Sequence, residues 1–162
     1  MGRLSGYQDL ITIDMGGTSA DVALIRKGEP QVSTSGQVGD FPLALPIIDI
    51  HTIGAGGGSI AQVPAAGMLR VGPKSAGAMP GPAAYGKGGV QATVTDANLI
   101  LGRVPPHLLD GEVALDLERA ADAIREHVAK PLGLSLEEAA AGIIDIVDNN
   151  MVGALKIGRA HV

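Results

Sequence analysis

Cysteine and tryptophan are absent from the 162 residues, and aromatic side chains make up only 2% of them. The first absence excludes disulfides and thiolate metal sites and fits a cytoplasmic protein. The second means that a core has to be packed from Ala, Val, Ile and Leu, and the 46% apolar fraction is ample for that. Positive charge is also scarce, with 12 Lys and Arg against 17 Asp and Glu and a net charge of -5. A chain with no basic patch and no interleaved aromatics lacks the footprint of a nucleic-acid binder. No apolar run approaches the ~20 residues that a membrane span needs, and the N-terminus lacks the basic-then-apolar order of a signal peptide. Repeats, heptads and low-complexity tails are missing too. The expectation is one globular domain with neither nucleic acid nor membrane as partner.

Glycine, by contrast, is abundant at 24 residues, and much of it follows short apolar runs. In Ile11-Thr-Ile-Asp-Met-Gly-Gly-Thr-Ser-Ala-Asp-Val-Ala-Leu-Ile25, a buried strand enters a tight turn and a second strand returns. Gly16 and Gly17 have no Cβ to keep a ligand off the backbone, so their N–H groups can approach phosphate oxygens, and Thr18 and Ser19 add hydroxyl donors. Asp14, at the end of the first strand, would repel phosphate unless a divalent cation or a positioned water lay between. That gives it a role in holding Mg²⁺ or orienting water, with Asp21 as a second polar ligand.

Polar, Gly/Pro-punctuated chain from Lys27 to Leu45 reads as loop and edge strand. The apolar run Pro46 to Ile53 then empties into Gly54-Ala-Gly-Gly-Gly-Ser59, where backbone donors of Gly56, Gly57 and Gly58 are placed for a ligand. His51 beside this turn is either a polar strand-end residue or a base. Ile60 to Val63 and Met68 to Val71 read as a β-hairpin. Gly72 to Gly89 carries so many Gly and Pro residues that it reads as a long irregular loop, with Lys74, Ser75 and Tyr85 as candidate contacts. Thr93 to Gly102 starts as a short strand, caps with Thr95 and forms a brief helix. Asp96 is open between first-turn capping and a site carboxylate. Arg103 to Gly111 reads as a linker.

Beyond it the apolar period changes to about 3.6. Asp116 caps a helix with an apolar face of Leu117, Ala120, Ala121, Ile124 and Val128, ended by Pro131. Ser135-Leu-Glu-Glu138 supplies a capping box for a second, long helix. Its stripe of Leu136, Ala139, Ala140, Ile143, Ile144, Val147, Met151 and Leu155 is core, while Asn149 or Asn150 could face a ligand.

Asp14-x-Gly-Gly-Thr-Ser-x-Asp-Val22 resembles the phosphate loops of the actin and sugar kinase superfamily. More narrowly, it resembles the hydantoinase A and 5-oxoprolinase family, which includes acetone carboxylase subunits. Three further strings in the same order match that family: Asp49 to Ser59, Gly72 to Gly89 and Thr93 to Arg103. The match departs at Ala84, where a cysteine is common, so no thiol chemistry is available there. The resemblance implies an α/β (α+β) fold: part of an actin-like, ribonuclease H-like ATPase lobe, with β-hairpins and Gly-rich loops followed by paired helices. It implies ATP and Mg²⁺ held by Asp14, Gly16, Gly17, Thr18, Ser19 and Asp21. Asp14 and His51 would be catalytic, and Gly56, Gly57, Gly58, Ser59, Ser75 and Gly77 would border the substrate.

The activity implied is phosphorylation of a cyclic amide carbonyl, as in hydantoins, 5-oxoproline or other lactams, before ring opening with a hydantoinase B-type subunit or domain. Ketone carboxylation and a noncatalytic interaction domain on the same scaffold are the alternatives. A sugar or acid kinase lobe would leave the His51 and Gly/Pro-rich strings unexplained. Residues 1–156 are expected to be an incomplete lobe, lacking a second phosphate loop and an adenosine-binding segment, and so to bind ATP weakly and not turn over alone. The ending Ile157-Gly-Arg-Ala-His-Val162 reads as a translated short-read sequencing adapter, so residues 157–162 are expected to be an artefact.

Overall fold

A computed structural model of the chain describes residues 2–34, 36–38, 41–43, 45–65, 67–108 and 113–160, without the side chains of 2, 3, 37, 38, 42, 43, 108, 113 and 157–160. The adapter-like tail therefore lies outside the described side chains. The chain forms two compact units. One comprises Met1–Asp14, Asp21–Thr52 and Gly153–Val162, and the other comprises Met15–Ala20 and Ile53–Val152.

The first unit opens with a short helix, α1 (Gly2–Ser5), and is built on a four-stranded sheet. Its strands are β1 (Leu10–Met15), β2 (Ala20–Arg26), β3 (Glu29–Pro30) and, also paired with β2, β8 (Ile50–Ile53). Two small antiparallel pairs fill the polar stretch between: β4 (Val32–Ser33) with β7 (Ile47–Ile48), and β5 (Gly36–Val38) with β6 (Phe41–Leu43). These confirm short edge strands there. The expected apolar strand from Pro46 to Ile53 is broken at Asp49, whose N–H donates to the Gln31 carbonyl at 2.9 Å.

Burial of β1 differs from expectation. Ile11, Ile13 and Met15 are 45%, 49% and 41% exposed. The alternation that implies a buried face is present, but none of these three side chains joins a core cluster among the described residues; β1 ends the sheet order beside β2.

In the second unit, β9 (Ser59–Gln62) and β10 (Arg70–Ser75) pair antiparallel, with Val71 opposite Ala61 and Ser75 opposite Ser59. The hairpin read from sequence is there, but its second strand runs on through Gly72 and Pro73. A register shift between Val71 and Ser75 makes this possible, because a bulge tolerates a residue with no N–H to give the ladder. Ala83–Tyr85 is a single 3-10 turn. Helix α2 (Val94–Ile100) is capped by Thr93, not Thr95: the Thr93 hydroxyl accepts from the Asp96 N–H, and the Asp96 carboxylate accepts from the Thr93 N–H. The expected linker, Arg103 to Gly111, holds one short strand, β11 (His107–Leu108), which pairs with β12 (Val113–Ala114) beyond its end.

Helix α3 (Leu117–Ile124) starts where Asp116 accepts from the Arg119 N–H at 3.0 Å. It does not stop at Pro131. A widened π turn over Arg125–Ala129 leads into α4 (Lys130–Leu132), and Gly133, at φ 66, ends the run. The wider turn suits Pro131, which has no N–H for the carbonyl four residues back.

The long helix α5 (Leu136–Ala160) packs its stripe as expected from Leu136 to Met151, and Leu155 is half-buried outside the core cluster. Ile143 and Val128 are fully buried and Val147 nearly so, in one cluster with Ile124, Val94 and Ala61. Each such Val or Ile contributes roughly 1.5–3 kcal/mol by leaving water. Asn149 donates back to the Asp145 carbonyl at 2.8 Å and Asn150 to the Val71 carbonyl at 3.3 Å, so both amides serve the fold.

The capping box of α5 is intact: Glu138 accepts from the Ser135 N–H at 2.9 Å, and the Glu138 N–H donates to Ser135 Oγ at 3.2 Å. The first of these bonds is the main cause holding the Glu138 carboxyl below its ordinary pKa. A depressed carboxyl stabilises the fold above its unfolded value and stops doing so as pH falls through the folded one. Glu138→Gln is therefore expected to lower the melting temperature at pH 7 and leave it nearly unchanged at pH 2. Equal shifts at both pH values would contradict this.

Candidate functional site

Four segments of the second unit come together at the turn after β1, and the geometry explains why glycine recurs in them. The Gly16 N–H closes the turn on the Ser19 carbonyl at 2.8 Å. Gly16, Gly17 and Thr18 are exposed and Ser19 is half-buried. The Gly54 to Ser59 turn lies directly against them: the Gly57 N–H donates to the Gly16 carbonyl at 3.0 Å, and the Gly58 N–H to the Gly17 carbonyl at 2.6 Å. A Cβ on Gly56 would lie 2.6 Å from the Thr18 carbonyl carbon, and one on Gly58 would lie 2.8 Å from the Gly17 oxygen. Backbone meets backbone here with no room for a side chain.

The third segment is Ser75 to Gly77. Ser75 Oγ accepts from the Gly77 N–H at 3.0 Å and lies 3.5 Å from Thr18 Oγ1, while the Ala76 N–H donates to the Gly58 carbonyl at 2.8 Å. The fourth is the start of α2, where the Thr95 N–H and hydroxyl both donate to the Gly57 carbonyl, at 2.7 and 2.9 Å.

This arrangement sorts the residues singled out from sequence. The amides of Gly56, Gly57 and Gly58 are engaged internally, the first with Ser59 Oγ at 2.8 Å. Ser59 itself is fully buried, and its hydroxyl also donates to the Gly54 carbonyl at 3.3 Å. These four residues build and brace the exposed turn instead of offering donors to a ligand. A Gly-rich string fits both roles, since each needs the Cβ to be absent. Ser75 and Gly77 join the same cluster, and Lys74 is exposed. The N–H groups of Gly17 and Thr18 find no acceptor among the described residues. An exposed turn with two unengaged N–H groups and the hydroxyls of Thr18 and Ser19 has the donor set that phosphate oxygens require.

Asp14, Asp21 and His51 belong to the first unit. Asp14 is exposed near the end of β1, and His51 is half-buried in β8. Asp21 Oδ1 accepts from Thr52 Oγ1 at 2.6 Å, linking β2 to β8. No group of three or more His, Asp or Glu residues able to hold a metal occurs among the described residues. A divalent cation would then rest on a carboxylate such as Asp14 together with ligand oxygens and water, as Mg²⁺ commonly does.

Asp96 resolves toward structure. It is fully buried and accepts from the Thr93 hydroxyl at 2.7 Å, the Ala84 N–H at 2.8 Å, the Thr93 N–H at 2.9 Å and the Ala83 N–H at 3.3 Å. Burial pushes its carboxyl pKa up against the opposing pull of those bonds. Ala84 is likewise fully buried. Thr95 and Thr93 are the residues that sequence reading placed least well. The Thr-x-x-Asp spacing of a capping box was the available signal.

A family model described as Hydantoinase/oxoprolinase matches residues 1–159. Caprolactamase subunit alpha of Pseudomonas jessenii is 49% identical over 93% of this chain and 22% of its own length. The acetophenone carboxylase gamma subunit of Aromatoleum aromaticum is 44% identical over 93% of this chain and 21% of its own. Among solved structures, the ATP-dependent caprolactamase of Pseudomonas jessenii aligns at TM-score 0.87 and 47% identity over 97% of this chain and 23% of that one. A nucleotide-free acetone carboxylase aligns at TM-score 0.81 and 38% identity, over 92% and 21%. The chain thus spans about a fifth of the length of these relatives, and its mixed α/β fold is that of part of an actin-like ATPase lobe.

Proposed function

Because the chain belongs to the hydantoinase/oxoprolinase family, we propose that it is the phosphate-turn portion of an ATP-dependent subunit that opens cyclic amides. The observation that carries this reading is the exposed Gly16 to Ser19 turn, braced from behind and presenting the N–H groups of Gly17 and Thr18. ATP is a substrate in this reading. An amide carbonyl is a poor electrophile until its oxygen becomes a leaving group. The carbonyl oxygen takes the terminal phosphoryl group and ADP departs; one water then adds at the activated carbon and the ring nitrogen leaves with a proton, opening the C–N bond, and a second water hydrolyses the resulting acyl phosphate to carboxylate and phosphate.

Gly16, Gly17, Thr18 and Ser19 contact the phosphates, and Asp14, two residues earlier in sequence, holds Mg²⁺, which offsets the phosphate charge. Asp21 supports that shell. Ser75 and Gly77 border the transfer site, and Gly56, Gly57, Gly58 and Ser59 shape it. His51 is the candidate base. The relatives named as alpha and gamma subunits support a partner subunit, and a hydantoinase B-type subunit or domain is the partner in this reading. A ketone substrate is the competing reading, and the 44% identity to an acetophenone carboxylase subunit favours keeping it.

The test is ATP hydrolysis by the complete reading frame that contains this chain, coexpressed with any adjacent hydantoinase B-like gene. ADP release stimulated by a lactam, hydantoin or 5-oxoproline is expected to fall by about 100-fold or more in Asp14→Ala. Stimulation by acetone or acetophenone with bicarbonate, and by no amide, would assign the carboxylase reading. A folded complex with no ADP release under either condition would leave a noncatalytic module.

A further inference from the structure

Thr95 takes no part in capping α2, where Thr93 does that work, and yet it spends both of its donors on one distant carbonyl. The Gly57 oxygen receives its N–H at 2.7 Å and its hydroxyl at 2.9 Å across 38 residues of sequence. A peptide group is planar and trans, so its C=O and N–H point in opposite directions. Holding the Gly57 carbonyl toward α2 therefore aims the Gly58 N–H the other way, at the Gly17 carbonyl 2.6 Å off. That carbonyl shares a peptide plane with the Thr18 N–H. Pinning it toward Gly58 turns the Thr18 N–H away from Gly58, and that N–H meets no acceptor among the described residues. A parallel link runs from the Gly57 N–H through the Gly16 carbonyl to the Gly17 N–H.

We infer that Thr95 is a positioning residue, acting through the peptide planes of Gly57–Gly58 and Gly17–Thr18 to aim the turn's outward N–H groups at a phosphate. The inference rests on the reading that this turn binds phosphate, and it adds a control point that lies outside the turn itself. Gly57 fits the same picture, since a Cβ there would lie 2.9 Å from Thr95 Oγ1.

The experiment compares Thr95→Val, which keeps the shape and N–H but loses the hydroxyl, with Thr95→Ser, which keeps the hydroxyl. Both are made in the complete reading frame that contains this chain, and two readouts are taken. Amide hydrogen exchange at Gly58 is expected to accelerate about tenfold in Thr95→Val and to stay near wild type in Thr95→Ser. The KM for ATP is expected to rise about tenfold in Thr95→Val with kcat little changed, and to recover in Thr95→Ser. Unchanged exchange at Gly58 in Thr95→Val would overturn the inference whatever the nucleotide does. Faster exchange with unchanged KM would overturn it too, because Thr95 would then brace the fold without aiming the turn. If the wild-type protein binds no ATP while the exchange effect is present, the phosphate reading is what fails, and the positioning role falls with it. Should Thr95→Val not fold, Thr95→Cys, with its weaker S–H donor, is expected to give an intermediate acceleration, and no acceleration there would equally overturn the inference.

Discussion

Asp96→Ala is expected to destabilise the second unit by about 4 kcal/mol, a loss large enough to be diagnostic for one side chain. The carboxylate is fully buried and is the shared acceptor of four donors: the N–H groups of Ala83, Ala84 and Thr93, and the Thr93 hydroxyl. Removing it strands those donors away from water, and each unmet buried donor costs about 1–3 kcal/mol, with the sum reduced by relaxation. The loss also uncouples two elements, because Asp96 ties the Ala83–Tyr85 turn to the cap of α2. Urea unfolding should show a lower midpoint with an unchanged slope, and the Ala84 amide should exchange faster. A change under about 1 kcal/mol would mean that water replaces the carboxylate, and the hub would have to be abandoned.

The same residue gives a pH dependence of definite sign. Burial raises the Asp96 carboxyl above its ordinary pKa, with the bonds from Thr93, Ala84 and Ala83 opposing. A raised folded value means that the folded state holds the proton more tightly than the unfolded one. That contribution to stability is fully present below the unfolded value and is lost as pH rises through the folded value. Wild type should therefore shed stability across that interval, and Asp96→Asn, which cannot titrate, should not.

Local chemistry made the paired helices readable. Asp116 and the Ser135 to Glu138 box announce where α3 and α5 begin, and the 3.6-residue spacing of Ile143, Ile144 and Val147 already names the buried side of α5. The glycine turns were readable as places where backbone is approached closely, but not as to what approaches. In Gly54 to Ser59 the visitor is the Gly16 to Ser19 backbone, and only a contact across some forty residues of sequence decides that. Asp96 shows the same limit: Thr-x-x-Asp caps a helix equally well at the surface or in the core, and the depth of burial comes from packing. Ile11 and Ile13 mark the opposite failure. Their alternation is that of a buried face, while neither joins a core cluster among the described residues and both stay exposed.

Gly17 and Gly56 separate the two uses of glycine, and substituting each by alanine should give opposite patterns of damage. A Cβ on Gly17 meets nothing within 4 Å. Gly17→Ala is therefore expected to leave stability within roughly 1 kcal/mol of wild type, while placing a methyl group where a phosphate oxygen would have to approach. A Cβ on Gly56 would stand 2.6 Å from the Thr18 carbonyl carbon and 2.7 Å from the N atoms of Thr18 and Ser19. Those are backbone atoms with no rotamer to change, so the two turns must part. Gly56→Ala should cost about 2–3 kcal/mol of stability as well as activity, in the manner of an overpacked core. In the complete reading frame, amide-stimulated ATP hydrolysis should drop by about 100-fold in both, and only Gly56→Ala should melt early. If Gly17→Ala keeps its ATP hydrolysis, the open space beside Gly17 is not where phosphate enters. The exposed turn would then stand as a braced connection between two strands, and the case for an ATP-dependent amide-opening enzyme would have to rest on the likeness to its relatives alone.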